Sequence, residues 1–356
     1  MPHQLDHYRL LGRSGLRVSP LSLGTMTFGV GSEWGTPDDV AAQMLDLYME
    51  RGGNFVDTAN FYAQGGSERV LAPLIKERRE RLVISTKYSL TMRWGDPNAS
   101  GNHRKNMIRS VEDSLKRMDT DYIDLLYLHV WDDRTPADEI LRAFDDLIRT
   151  GKVLYAGISD TPAWRISHLQ GIADVRGWSP FVALQIPYNL TERTVERDLM
   201  PMAKAMGIGV LPWSPLAGGV LSGKYSRADL KAKAEASIGG MTSRKDINVA
   251  TGRLSEKNLD IAEVVKAVAQ EMGRSPSQVA LAWTLLHPAS TSPLIGARTL
   301  AQLEDNLAAL EVEFSDAQIK RLNEVSAVDL GFPQAFLASG VTDQMFGGVT
   351  VEKRGG

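Results

Sequence analysis

The sequence predicts an α/β protein folded as a single (β/α)8 TIM barrel spanning residues 1–356. Three observations point there. Short aliphatic and β-branched runs alternate with helix-period stretches about eight times along the chain, as repeated βα units around a parallel sheet require. The runs are apolar throughout, which suits strands covered on both faces. The open doubly wound sheet, the other arrangement of the same alternation, carries a Gly-rich nucleotide turn after its first strand. Here Gly29, Gly31 and Gly35 miss that spacing by one residue, with no strand ending or helix opening among them.

The elements follow in order. Residues 8–11 and 16–19 flank Gly12-Arg13-Ser14-Gly15 and predict a hairpin placed to plug one barrel end. Strands are expected at 21–24, 54–58, 82–87, 122–129, 153–159, 182–186, 208–212 and 293–296. Helices are expected at 37–51, 67–76, 105–118, 136–150, 162–170, 191–206 and 300–310, several opened by the Ser, Thr or Pro that first turns favour. After the seventh unit, a polar, glycine-bearing stretch from 226 to 252 predicts a long loop, with 226–255 as a lid. Two extra helices follow, at 256–272 and 275–287. Residues 327–356 lack periodicity and predict a tail over the active-site face.

Composition excludes whole classes. With 43% hydrophobic and 23% charged residues, the chain can bury a core and is neither disordered nor fibrous. Forty Lys and Arg against forty-three Asp and Glu leave a net charge of −3, which recommends neither a nucleic acid nor an anionic membrane as partner. The absence of cysteine excludes disulfides, thiolate metal sites and cysteine nucleophiles. His3, Asp6, His7 and Arg9 interrupt any leader-like apolar stretch, so a soluble cytoplasmic protein is expected. Monomer and homo-oligomer both remain open.

In a barrel of this kind the chemistry sits at the carboxyl ends of the strands. Asp57 ends the second strand, Tyr62 follows in the loop, Lys87 ends the third and His129 ends the fourth. Adjacent strands lie about 4.8 Å apart, so these side chains can meet although they span seventy residues. A phenol is a weak acid with a pKa near ~10, and an ammonium beside it stabilises the phenolate. Lys87 would tune Tyr62, Asp57 would balance the buried ammonium, and His129 would donate a second hydrogen bond to a substrate oxygen.

These segments resemble the aldo-keto reductase superfamily. Phe55-Val56-Asp57-Thr58-Ala59 with Tyr62, Ile84-Ser85-Thr86-Lys87, and Asp121 through His129 are similar, in order, to the stretches that carry that family's Asp, Tyr, Lys and His tetrad. Gly151-Lys152-Val153, Gly157-Ile158-Ser159, Gln185 and Trp213-Ser214-Pro215-Leu216 extend the likeness over nearly the whole chain. The resemblance implies reversible reduction of aldehydes or ketones, with a nicotinamide dinucleotide as hydride donor and Tyr62 as general acid.

It also implies a cofactor site. Gly24, Thr25, Met26 and Asp57 would lie beside the nicotinamide, Ser159, Asp160 and Gln185 would bind its carboxamide, and Trp213 would stack on the ring. Ser214, Pro215, Leu216, Gly218 and Lys224 would wrap the pyrophosphate. Gly296, Arg298, Gln302, Asp305 and Asn306 would hold the adenosine end. Many members have a Lys-Ser pair where this chain has Gly296-Ala297, which leaves Arg298 as the cation for a 2′-phosphate. NADPH is thus favoured over NADH. Asp160 is a second departure, standing where asparagine is common. Met26, Phe28, Tyr62, Trp94, His129 and Trp131 are expected to line the pocket for a hydrophobic or ring-bearing substrate.

Two rivals belong to other classes. Trp213-Ser214-Pro215-Leu216 is also compatible with nicotinamide-binding regulatory subunits of channels, which turn over little substrate. A lyase using Lys87 in a Schiff base needs a neutral amine, and Asp57 argues against that.

Overall fold

Eight parallel strands ring one axis in the computed structural model, which describes residues 4–31, 35–231 and 244–349. The chain first forms an antiparallel hairpin, β1 (Arg9–Leu10) and β2 (Arg17–Val18). Gly12 at its turn has φ +54, and a Cβ there would lie 2.4 Å from the Val182 carbonyl oxygen. Only glycine permits that approach. Leu11 and Val18 pack with Phe55, Val83, Leu125 and Leu211, all buried, so the hairpin closes the amino-terminal end of the barrel.

The barrel strands are β3 (Ser22–Gly24), β4 (Phe55–Asp57), β5 (Val83–Tyr88), β6 (Ile123–Leu128), β7 (Val153–Ser159), β8 (Phe181–Pro187), β9 (Gly209–Trp213) and β10 (Leu294–Ile295). From β3 to β9 each strand pairs in parallel with the next, and β10 pairs in parallel with β3. The seam between β9 and β10 is bridged just before β10, at Val210 and Ser290. Every residue of β5 and β6 is buried, as strands covered on both faces must be.

Helices α1 (Asp38–Glu50), α2 (Gly66–Ile75), α3 (Arg104–Met118), α4 (Ala137–Arg149), α5 (Ala163–Arg176) and α6 (Leu199–Met206) follow the strands in turn. Pro37, Pro136 and Pro162 precede three of them in extended conformation, and Gly177 and Gly207 end two in left-handed conformation. After β9 come α7 (Arg244–Ala250), α8 (Glu256–Met272) and α9 (Pro276–Thr284); α10 (Leu300–Leu307) and α11 (Asp316–Val325) follow β10. No described helix is long and apolar enough to cross a membrane.

Four expectations about elements need correction. The helix expected at 191–206 is broken. The Asn189 side chain accepts from the amides of Thr191 and Glu192, holding a turn there, and Pro201 has no N–H to continue a helix begun earlier. Pro201 falls instead in the first turn of α6, where that N–H is not needed. The fifth helix runs on to Arg176, past its expected end at 170, because Ile166, Leu169 and Ala173 continue one buried face. The ninth stops at Thr284, short of 287. The expected loop at 226–252 contains α7, and its residues 232–243 lie outside the described ones. The tail forms short turns from Gln334 to Met345. It is tied to the start of α6, where Arg197 donates to the Asp329 carbonyl and Gln334 donates to that of Arg197.

Candidate active site

Asp57 ends β4, Tyr62 opens the turn that follows, Lys87 lies near the end of β5 and His129 comes directly after β6. The ladder pairs Asp57 with Ser85, and the His129 amide donates to the Tyr88 carbonyl, so all four side chains issue from one end of the barrel. Lys87 is wholly buried. Its Nζ donates to Asp57 Oδ2 at 2.6 Å, to the Thr58 carbonyl at 2.7 Å and to Tyr62 Oη at 3.3 Å. An ammonium has three hydrogens, and these partners take all three. Tyr62 is therefore an acceptor toward Lys87 and keeps its own hydrogen for another acceptor. The Tyr62 and His129 rings meet edge to face, 6.2 Å between centroids.

The electrostatics give each group a protonation state. Burial alone would lower the Lys87 pKa, but the Asp57 charge and hydrogen bonds outweigh it and hold the amine above its usual value. It stays protonated, which removes the lone pair that a Schiff base needs. Burial raises the Tyr62 phenol, while Lys87 pulls it down and Asp57 pushes it up. The net shift is upward, opposite to what the ammonium alone predicts, because desolvation of a phenolate outweighs its neighbour's attraction. His129 is pushed down to about 3 by burial and by Lys87, so its imidazole is neutral near pH 7.

Sequence reasoning missed the support beneath Asp57. Ser85 Oγ donates to Asp57 Oδ1 at 2.7 Å, and Gln185 Nε2 donates to the same oxygen at 2.9 Å. Ser85 and Lys87 are two apart on a strand and so share a face, a signal available in the sequence. Gln185 must turn its amide nitrogen to the carboxylate, which points its oxygen elsewhere.

The remaining expected residues separate into those that face the cleft and those that do not. Ser159 Oγ donates to the Gln185 carbonyl, and Asp160 Oδ1 accepts from Trp213 Nε1 at 3.2 Å. Asp160, Ser214 and Ala217 adopt φ values of +39, +52 and +51, so strained backbone gathers at these strand ends. Leu216 and Gly218 belong to the turn that follows Pro215, where a Cβ on Gly218 would meet Asn248 Oδ1 at 2.3 Å. Lys224 Nζ lies 2.9 Å from where a Gly219 Cβ would stand. The half-buried Arg253 guanidinium lies 5.6 Å from the centre of the Trp213 ring. Neither Asn248 nor Arg253 announced itself in the sequence. Left-handed backbone, two glycines and two cations around one loop fit a pyrophosphate.

At the other end, Gln302 Oε1 accepts from the Arg298 amide at 2.9 Å, and Arg298 is exposed. Asn306 donates to the Gly296 carbonyl, which fixes that turn. The two oxygens of Asp305 accept from the Ser275 hydroxyl and the Gln278 side-chain amide at the start of α9, so both are already engaged within the protein. Thr25 donates to the Asp57 carbonyl and is buried against Ser67, while Gly24 pairs with Asp57 in the ladder and Met26 is exposed.

Among the expected pocket walls, Phe28 is 1% exposed and packed within the core outside the barrel. Trp94 is 85% exposed. Trp131 lines a cleft of about 490 Å³ beside β5 and β6, with Leu90, Pro97, Val130, His103 and Asp132. Its indole N–H donates to Asp133, and Arg165 lies over its ring.

Comparison with known proteins gives one consistent result. A family model described as the aldo/keto reductase family matches residues 20–327. Norsolorinic acid reductase of Aspergillus flavus is 37% identical over 347 residues, covering 94% of this chain and 85% of its own. Aryl-alcohol dehydrogenase [NADP(+)] of Phanerodontia chrysosporium is 34% identical, covering 95% of this chain and 91% of its own. An uncharacterized oxidoreductase of Bacillus subtilis, YrpG, is 38% identical over 89% of this chain and 95% of its own.

Proposed function

The chain belongs to the aldo/keto reductase family, and from that premise we propose that it is an NADP-linked carbonyl reductase acting on aromatic aldehydes or ketones, reversibly. When bound, the nicotinamide dinucleotide supplies the hydride. Tyr62 supplies the proton, because its oxygen already accepts from Lys87 and its own hydrogen remains to be given. His129, neutral at physiological pH, donates a second hydrogen bond to the carbonyl oxygen and polarises it. The negative charge that develops on that oxygen falls between two fixed donors and near the Lys87 ammonium, so the interactions strengthen as the barrier is climbed. Asp57, held by Ser85 and Gln185, keeps Lys87 charged and pointed at Tyr62.

Ser159 and Gln185 are the carboxamide partners in this reading, Trp213 the stacking ring, and Ser214, Leu216, Gly218, Lys224 and Arg253 the pyrophosphate cradle. Arg298 is the cation for a 2′-phosphate. In this reading Leu90, Pro97, Val130 and Trp131 offer apolar surface to a ring-bearing substrate, in a cleft that Asp132, Arg134 and Glu139 also line. Relatives named for an aryl alcohol and for norsolorinic acid support the same class.

The observation that carries the proposal is the saturated Lys87 ammonium with Tyr62 as its third acceptor. The test is oxidation of NADPH with a panel of benzaldehydes and aryl ketones, by the native chain and by Tyr62→Phe. The native chain should turn over, and the variant should lose about 10²- to 10⁴-fold in kcat while its Kd for NADPH stays within about threefold. Full turnover by Tyr62→Phe refutes the assignment.

A further inference from the structure

The Asp160 carboxylate stands immediately after β7, in a left-handed backbone conformation (φ +39) that side chains other than Asn and Asp rarely adopt. That conformation sends the carboxylate sideways to the indole N–H of Trp213, at 3.2 Å. It is close enough to Lys87 and Tyr62 for its charge to act on the phenol and for the ammonium to act on it. It takes no hydrogen bond from Lys87, whose three hydrogens go to Asp57, Thr58 and Tyr62. A second negative charge thus reaches the cleft in addition to Asp57, and it lies along the edge of the Trp213 ring, where an uncharged asparagine would give the same indole its acceptor.

A nicotinamide held in this cleft would be neutral in its reduced form and positively charged in its oxidised form. The Asp160 carboxylate beside Trp213 would distinguish those two states by charge. We propose that Asp160 biases the cofactor pair in this site toward the oxidised, cationic nicotinamide, so that the reduced form gives up hydride more readily here than beside a neutral amide. The inference rests on the assignment of the cleft to NADP(H) made above.

Asp160→Asn is the informative variant, since asparagine suits the same φ and its Oδ1 still accepts from the indole, leaving Trp213 in place. Dissociation constants for NADP+ and NADPH are to be measured separately on the native chain and the variant, by quenching of tryptophan fluorescence and by calorimetry. The expected result is a weakening of NADP+ by about fivefold or more with NADPH changed by less than about twofold. By linkage, that change in affinity ratio is the change in the hydride-transfer equilibrium on the protein. Equal shifts for both forms, or none, overturn the proposal while leaving the cofactor assignment intact. A native chain that binds neither form overturns the assignment and the inference together. If the asparagine variant is insoluble, Asp160→Gly tolerates the same φ and supports the same pair of measurements.

Discussion

Lys87 is the residue on which the others depend, because its charge is wholly buried and balanced by a single carboxylate. Lys87→Met leaves Asp57 with no cation, and an uncompensated buried charge costs about 3–5 kcal/mol. The double variant Asp57→Asn with Lys87→Met should recover part of that loss, and urea unfolding of the three proteins checks it. The same wiring fixes the response to pH. In the proposed mechanism Tyr62 and Lys87 both act in their protonated forms, and both are held above their ordinary values. The reductive rate should therefore stay level through neutrality and fall only as pH rises past about 10, the usual phenol range. His129 adds no limb near its ordinary value of 6.5, since it has moved down to about 3. A rate profile against pH that bends near 6.5 would contradict this. Stability behaves differently. His129 is neutral in the fold and gains a proton when unfolded, so it withdraws stability as pH falls below about 6.5 and down toward 3. Melting temperatures across that window should decline accordingly.

At the scale of elements, position was legible in the sequence and direction was not. Asp57, Tyr62, Lys87 and His129 could be picked out because strand ends are marked by the switch from apolar to polar residues. Which way a loop or helix side chain turns depends on neighbours distant in sequence. Asp305 is expected at a ligand, and its oxygens are taken by the side chains of Gln278 and Ser275, twenty-seven and thirty residues back along the chain. Phe28 was expected on a wall and lies in the core for the same reason. The break before α6 was signalled by Asn189 and Pro201, whose local chemistry overrides the apolar period. Contact between α7 and the turn after β9 could not be foreseen, since it joins Gly218 to Asn248 across thirty residues. Gly218→Ala should strain that joint in two ways, by its φ of +66 and by the 2.3 Å approach to Asn248 Oδ1. A loss of about 1–3 kcal/mol in stability is expected, with weaker NADPH binding, measurable by thermal melts and titration.

For the whole molecule, the alternation of βα units sufficed to predict the closed sheet, since connection rules leave few ways to arrange eight such units. The hairpin was legible for a related reason, its glycine-bearing turn lying between two short apolar runs. Its fit was not, because Gly12 is required by the backbone of β8 and of the chain leading into β9. Removal of residues 4–18 should expose Phe55, Val83, Leu125 and Leu211 at the barrel floor. Such a truncation is expected to bind a hydrophobic dye and to melt well below the full chain.

The seam beside β10 carries a further consequence. A strand of two residues, bridged to β9 just upstream of its own start, is the slackest stave of the cask. Slow deuterium uptake should mark β5 through β8, while the amides near Val210 and Ile295 trade their hydrogens soonest, because a hoop parts where the fewest bonds must break at once.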